Sequence, residues 1–218
     1  MSYAWSDVFF VVLILTDFVL LGSSRLGVYI RVSAVQGIAL GLLPIVTHLS
    51  SSAGRIVLLG SLGLVTLVLK GIVFPTLLFR ALRSAGVRRE PKPFVGYTAS
   101  TIFGLLALIA SFRVASRLPL PEATFSTLAI PVGVFTLLVG LFLIVSRRKA
   151  LTQVLGYLVL ENAIFAVGVT LVADVSVLVE LGVLLDVFVA VFVMQIAIYH
   201  ISHEFDSTDT DQLATLKD

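Results

Sequence analysis

Seven long apolar segments constrain the fold of this 218-residue chain more than any other feature. A hydrocarbon core about 30 Å thick needs about 20 apolar residues in each helix that crosses it. The segments show no sustained two-residue alternation, which argues against membrane-barrel strands. With 58% hydrophobic and 13% charged residues, the sequence predicts an all-α integral membrane protein of about seven transmembrane helices, without room for a second, soluble domain. The segments cover residues 7–23, 32–49, 55–79, 94–112, 124–146, 150–172 and 175–200.

Basic residues are distributed unequally between the two ends of these segments. Of the 15 Lys and Arg residues, Arg55, Arg113 and Arg117 fall on one side, Lys70 lies within a segment, and the others fall on the opposite side. The positive-inside rule then predicts an N-terminus outside and a C-terminus in the cytoplasm, in the cell inner (plasma) membrane. Because topology explains the basic residues, the sequence pI near 9.1 does not call for a nucleic-acid partner.

Five ionisable residues lie inside otherwise apolar segments, where each costs roughly 2.5–3.5 kcal/mol near the bilayer centre. Such residues usually line an ion or proton path, or pair with one another. A carboxyl group in this setting can hold a proton at rest and ionise when a cation approaches. We therefore expect the proton or ion path here, the alternative being acids that only join helices. The residues are Asp17, Lys70, Glu161, Glu180 and Asp186.

Lys70 lies too deep for its side chain to reach the membrane surface easily. Pro75 follows five residues later, removes one helix hydrogen bond and frees the carbonyl of Gly71. A lysine beside a broken turn can act as a relay group or as the counter-charge of a carboxylate. The alternative is a structural ion pair with an acid such as Asp17. Gly37 and Gly41, four residues apart, indicate a close-packing helix face rather than a site.

The last two segments are joined by a short turn around Asp174, so antiparallel packing sets the relative depths of their acids. Glu161 lies 13 residues before Asp174 and Asp186 lies 12 after it, which predicts direct carboxyl contact between them. Glu180 lies only 6 residues after Asp174, so a difference of about 10 Å in depth separates it from Glu161. Water or a polar side chain would have to bridge that gap.

Several classes of chemistry find no support in the sequence. There is no cysteine, so the chain cannot ligate an iron–sulfur cluster or a thiolate-bound metal centre. His200, His203 and Glu204 could hold a metal weakly, although the sequence favours a polar helix end there. No phosphate-binding glycine loop or nucleophile–base pair is visible, and the seventh segment has no lysine for a retinal Schiff base. We expect no catalytic residue, no metal and no cofactor in this chain.

A weak internal repeat connects the second and sixth segments. Residues 31–37 and 148–156 each run from Arg through a spacer with Ala to Gln and then Gly. The similarity predicts two three-helix units arranged around the fourth segment and pointing the same way across the membrane. Shared membrane composition is the alternative explanation.

The C-terminal half resembles a known family. From about Ala129 to Tyr199 it is similar to the three-helix K-type subunit of respiratory complex I and to the C-type subunit of multisubunit cation/proton antiporters, through Gly156, Asn162-Ala163 and Glu180-Leu181-Gly182. Over nearly its whole length the chain resembles component E of hydrogenase-4, including the element from Lys70 to Pro75. This divides the chain into membrane helices over 1–112, helices like those of the complex I K-type subunit over 113–203 and an acidic cytoplasmic tail over 204–218.

The resemblance implies a non-catalytic membrane-arm subunit of an energy-converting group 4 nickel–iron hydrogenase or a formate hydrogenlyase-like complex. Such complexes couple electron transfer to movement of protons or sodium ions. The implied partners are antiporter-like large membrane subunits, a membrane protein like the H-type subunit of complex I, and soluble hydrogenase-like or iron–sulfur subunits. Glu180 corresponds best to the family's third-helix glutamate, whereas Glu161 falls about one turn beyond its middle-helix glutamate. The alternatives are an antiporter subunit without redox partners, or a structural helix bundle.

Overall fold

The computed structural model describes residues 2–47, 53–84, 93–118 and 126–171, and the regular structure within these ranges is helical. The helix that begins at Ala53 continues through a π-helical turn to Ser84 without a break in the helical backbone. In chain order the elements are α1 (Ser2–Gly22), α2 (Leu26–Thr47), α3 (Ala53–Val68), the π-turn (Leu69–Val73), α4 (Phe74–Ser84), α5 (Tyr97–Ala115), α6 (Ala129–Ser146) and α7 (Ala150–Leu171).

Five of the described helices are long and apolar enough to cross a membrane, which supports the predicted membrane location. They are α2, the continuous helix from α3 to α4, α5, α6 and α7. The first predicted segment is helical as α1 but is not among these five. The seventh, at 175–200, lies outside the described residues. The number of seven spans and the two three-helix units therefore stay predictions.

The second segment starts earlier than predicted. Arg31 suggested a boundary at residue 32, yet α2 begins at Leu26 and carries Arg31 on an exposed face in its second turn. A long arginine side chain can extend from a helix toward the membrane surface, so its charge does not mark the helix end.

Helices α1 and α6 pack side by side and run in the same direction. Asp7 of α1 meets Ser126 just before α6, and Asp17 meets Thr136; both pairs are 119 residues apart in the sequence. The Phe18 ring also contacts the ring of Phe135, with centroids 5.6 Å apart. This shared register brings the C-terminal ends of α1 and α6 together with the N-terminal ends of α2 and α7. We call this the basic end of the bundle, because Arg25, Arg147, Arg148 and Lys149 lie there.

Two glycine–glycine crossings set how closely the helices approach. Gly41 of α2 faces Gly63 of α3, and a Cβ atom at Gly41 would lie 2.9 Å from the Gly63 carbonyl oxygen. Gly140 of α6 faces Gly156 of α7 in the same way, again with 2.9 Å from the added Cβ to the carbonyl oxygen. The close-packing role predicted for Gly41 is confirmed. Its neighbour Gly37 is equally tight, since a Cβ there would lie 3.0 Å from the carbonyl carbon of Lys70.

The π-turn lies where Pro75 was predicted to disturb the helix. The Phe74 N–H donates to the carbonyl of Leu69, five residues back, which is the hydrogen bond of a π-helix. Pro75 has no N–H with which to restore the ordinary bond to Gly71. The turn contains Lys70 and directs its side chain into the bundle, where it is buried.

Candidate functional site

An ion pair between Lys70 and Glu161 lies in the interior of the bundle. The Lys70 Nζ is 2.7 Å from Glu161 Oε1, and the two side chains are 5% and 2% exposed. The ring of Phe165 lies beneath the ammonium group, with its centroid 5.5 Å from Nζ. The geometry is that of a charge contact rather than a directed hydrogen bond, and Glu161 Oε2 has no polar partner among the described residues. Lys70 therefore pairs with Glu161 and not with Asp17, the acid that the sequence suggested as an alternative.

Two buried amide side chains extend the polar contacts from Lys70 toward α1. The ammonium group donates to Asn162 Oδ1 at 3.1 Å, and Asn162 Nδ2 donates to Gln36 Oε1 at 3.2 Å. Gln36 Nε2 donates in turn to Asp17 Oδ1 at 2.7 Å and to the Thr16 hydroxyl at 3.0 Å. Both amides are almost fully buried, so each hydrogen bond replaces one that water would otherwise supply.

Asp17 completes the chain of contacts and is fully buried. Its second oxygen, Oδ2, lies 2.7 Å from the Thr136 hydroxyl of α6. No described cationic group lies within 4 Å of its carboxyl group. The two buried carboxyl groups thus differ among the described residues. Glu161 has a cation and no hydrogen bond to its carboxylate oxygens, whereas Asp17 has hydrogen bonds to neutral partners and no cation.

The polar contacts form a layer between two apolar clusters, and the cluster toward the basic end includes Leu20, Leu26 and Leu143. On the side away from the basic end, the layer is covered by Phe10, Leu13, Leu40, Leu43, Val132, Phe165 and their neighbours. On the basic side, a cleft with room for about one water molecule reaches Lys70 and Asn162 and is lined by Ser33, Pro75 and Leu158 among others. Within the described part of the chain, this space beside Lys70 therefore lies on the basic side of the layer, while the opposite side is apolar.

Arg147 is a second buried cation, although its place at the end of an apolar segment predicted an ordinary basic residue at the membrane surface. Its side chain is fully buried at the C-terminal end of α6. Nη2 donates to the Leu21 carbonyl at 3.1 Å, and the guanidinium carbon lies 4.8 Å from the centroid of the Tyr97 ring. None of the described carboxyl groups lies within 4 Å of it. Arg147 thus joins the ends of α1 and α6 to the start of α5 through backbone and ring contacts.

The structure brings three of the five predicted site residues into one layer, namely Asp17, Lys70 and Glu161. Glu180 and Asp186 lie outside the described residues, and so do the predicted Glu161–Asp186 contact and the His200–His203 pair. The layer also contains three residues for which the sequence predicted no site role, namely Gln36, Thr136 and Asn162. Gln36 and Asn162 could have been found as uncharged polar residues in apolar segments, whereas a threonine such as Thr136 gives no comparable signal. Within the described part of the chain, no group of His, Cys, Asp and Glu residues could hold a metal ion.

Comparison with known proteins finds relatives that include a hydrogenase component. Hydrogenase-4 component E of Escherichia coli and that of Shigella flexneri are each 29% identical over 150 residues, which cover 69% of this chain and 69% of each relative. The uncharacterized protein Rv0085 of Mycobacterium tuberculosis is 29% identical over 207 residues, 94% of this chain and 93% of that protein. No protein-family model and no solved structure matches the sequence. The similarity to component E supports a relation to complex I-related membrane proteins; the relation to the K-type and C-type subunits stays a prediction.

Proposed function

We propose that this chain is a non-catalytic membrane-arm subunit of a hydrogenase-like, complex I-related complex, and that its buried Lys70–Glu161 pair takes part in moving protons or sodium ions across the membrane. The ion pair is the observation that carries the proposal. A charged pair at membrane depth is costly to retain for packing alone, since residues of similar volume without charge are often as stable or more so. The similarity to hydrogenase-4 component E supports the choice of complex.

The short distance within the pair suits proton exchange once the ammonium group turns an N–H toward Glu161. Across 2.7 Å the ammonium N–H can break as an O–H forms on Glu161, which leaves an amine and a carboxylic acid with no change in total charge. The cleft on the basic side has room for about one water molecule against Lys70. In this proposal Lys70 exchanges protons with that water, and Glu161 passes them toward Glu180 and Asp186.

Charge balance gives the layer the capacity to bind one further cation. With Lys70, Glu161 and Asp17 all ionised, the described layer contains one positive and two negative groups. One proton, or one sodium ion, would bring it to neutrality. Moving a single charge into or out of such a layer changes its electrostatic energy strongly in a medium of low dielectric constant.

The proposed partners follow from the same relation. They are antiporter-like large membrane subunits, a membrane protein like the H-type subunit of complex I, and soluble hydrogenase-like or iron–sulfur subunits, in the cell inner membrane. In this arrangement the basic end faces the cytoplasm and the N-terminus lies outside.

Affinity purification of the full chain from its native membranes tests this assignment. Copurification with soluble metal-containing redox subunits as well as large membrane subunits is the expected result. Loss of the chain should then abolish ion movement driven by electron transfer. Copurification with antiporter-like membrane subunits alone, without any redox protein, would overturn the assignment to a hydrogenase-like complex.

A further inference from the structure

The direction of the hydrogen bonds in the buried layer is fixed by Lys70. An ammonium group has three donors and no acceptor, so Asn162 has to present Oδ1 to Lys70 and its NH₂ group to Gln36. Gln36 then presents Oε1 to Asn162 and its NH₂ group to Asp17. Both amide orientations follow from the charge at one end. At the other end, Asp17 Oδ1 receives a donor, which suits a carboxylate oxygen.

We propose that Gln36 and Asn162 act as a two-amide link that couples the ionisation of Asp17 to that of Lys70. With a charged Lys70, the link presents an N–H group to Asp17 and favours its carboxylate. With a neutral Lys70, the amine nitrogen can accept a hydrogen bond, and both amides can turn together. Gln36 then presents Oε1 to Asp17, which matches only a protonated carboxyl group.

The link transmits orientation and does not itself conduct protons. An amide N–H is not released to a neighbour as a hydroxyl or ammonium proton is, so no proton passes from Lys70 to Asp17 through the two side chains. The proton that leaves Lys70 goes to the Glu161 carboxylate, 2.7 Å away. The proton that Asp17 gains is a second proton, taken up from solvent and not through the cleft at Lys70, which does not reach Asp17. Two proton movements on different helices are thereby coupled.

The groups around Asp17 and around Lys70 can form hydrogen bonds with the two-amide link in either of its two orientations. Around Asp17 the described partners are Gln36 and the hydroxyl of Thr136, which can donate to a carboxylate or accept from a carboxylic acid. The Thr16 hydroxyl, on the same helix as Asp17, accepts from Gln36 and is similarly able to turn. Around Lys70 the titratable partner among the described residues is Glu161. Each member can therefore satisfy its hydrogen bonds in either direction.

This inference rests on the proposed function for its purpose. Its test measures carboxyl protonation rather than transport, so the coupling and the proposed function can fail separately. The full chain is placed in lipid vesicles, and the acid and carboxylate bands of Asp17 are measured by infrared spectroscopy at neutral pH. Bands that disappear in an Asp17→Asn variant are assigned to Asp17. Lys70→Met should increase the ratio of acid to carboxylate at Asp17 by about fivefold or more.

The decisive comparison adds Asn162→Leu, which breaks the link without removing any contact of Asp17. With Leu at position 162, the ratio at Asp17 should be the same whether residue 70 is Lys or Met. Asn162→Ala allows the same comparison where the leucine variant does not fold. Gln153→Leu is the matched control, because it removes an amide of α7 that donates to the Arg147 carbonyl, outside the layer. An unchanged response to Lys70→Met in the Asn162 variants would show that charge acts through space and overturn the link; no response in any background would overturn the coupling itself.

Discussion

Adding one methyl group at Gly140 is expected to separate α6 from α7 at the level of the ion pair. In a Gly140→Ala variant the new Cβ would lie 2.6 Å from the Leu160 backbone nitrogen and 2.9 Å from both Leu160 Cα and the Gly156 carbonyl oxygen. All three atoms belong to backbone, so no side chain can rotate away. Reaching an ordinary contact of 3.4 Å requires α7 to move by about 0.8 Å.

The displacement acts directly beside the site, because Leu160 precedes Glu161. Overpacking of this kind costs about 1–3 kcal/mol of stability. The effect on ion translocation should be larger than that loss suggests, because a misplacement of about 1 Å between reacting groups can lower a rate roughly 100-fold. We therefore expect an assembled Gly140→Ala protein with a lower melting temperature and a disproportionate loss of translocation.

Gly60→Ala is the matched control, since a Cβ at that position of α3 meets no atom within 4 Å. Thermal unfolding of both variants in lipid nanodiscs and translocation by the assembled complex are measured side by side. Gly60→Ala should be unchanged or slightly more stable, because alanine favours a helix. If Gly140→Ala behaves like Gly60→Ala in both assays, the close approach of α6 and α7 does not position Glu161.

Three further predictions concern the buried polar groups, and each is checked by unfolding of the purified chain in lipid nanodiscs. Lys70→Met and Glu161→Gln should each lower the free energy of unfolding by about 3–5 kcal/mol, because each leaves a buried charge without its partner. The double variant should lose less than the sum, since neither partner is then left alone; strict additivity would contradict the pairing. Thr136→Val should lower the free energy of unfolding by about 1–3 kcal/mol, because it leaves Asp17 Oδ2 without its partner. Thr76→Val removes an exposed hydroxyl that bonds within its own helix and should lower the free energy of unfolding much less. Arg147→Lys should be destabilising because the ammonium group cannot both reach the Leu21 carbonyl and stack on Tyr97, while the exposed Arg31→Lys should be neutral; equal effects would argue against this role of Arg147.

The sequence was sufficient to predict helices where apolar length alone decides. The segment 150–172 matches α7 closely, and 124–146 shares its end with α6, which begins later, at Ala129. A helix is the structure that satisfies backbone groups inside a single membrane-length segment. The predicted start of α2 at residue 32 was wrong, because a flexible charged side chain such as Arg31 does not have to mark a helix end.

Burial cost also identified Asp17, Lys70 and Glu161 as residues that needed an explanation. It could not assign their partners. Lys70 meets Glu161, whereas the carboxyl group of Asp17 is already satisfied by Gln36 and Thr136. Such contacts depend on the register between helices far apart in the sequence, which composition and spacing within one segment do not encode.

Counting the ions moved per electron pair in the assembled complex after Glu161→Gln tests whether Glu161 is on the ion path. Asp7→Asn makes the same carboxyl-to-amide change near the start of α1 and is the control. We expect the Glu161→Gln complex to assemble and still transfer electrons but no longer move ions. Asp7→Asn should keep the normal number of ions per electron pair, and Asp186→Asn should reduce it less completely than Glu161→Gln. A normal number of ions per electron pair in an assembled Glu161→Gln complex would remove Glu161 from the path and leave it a structural role.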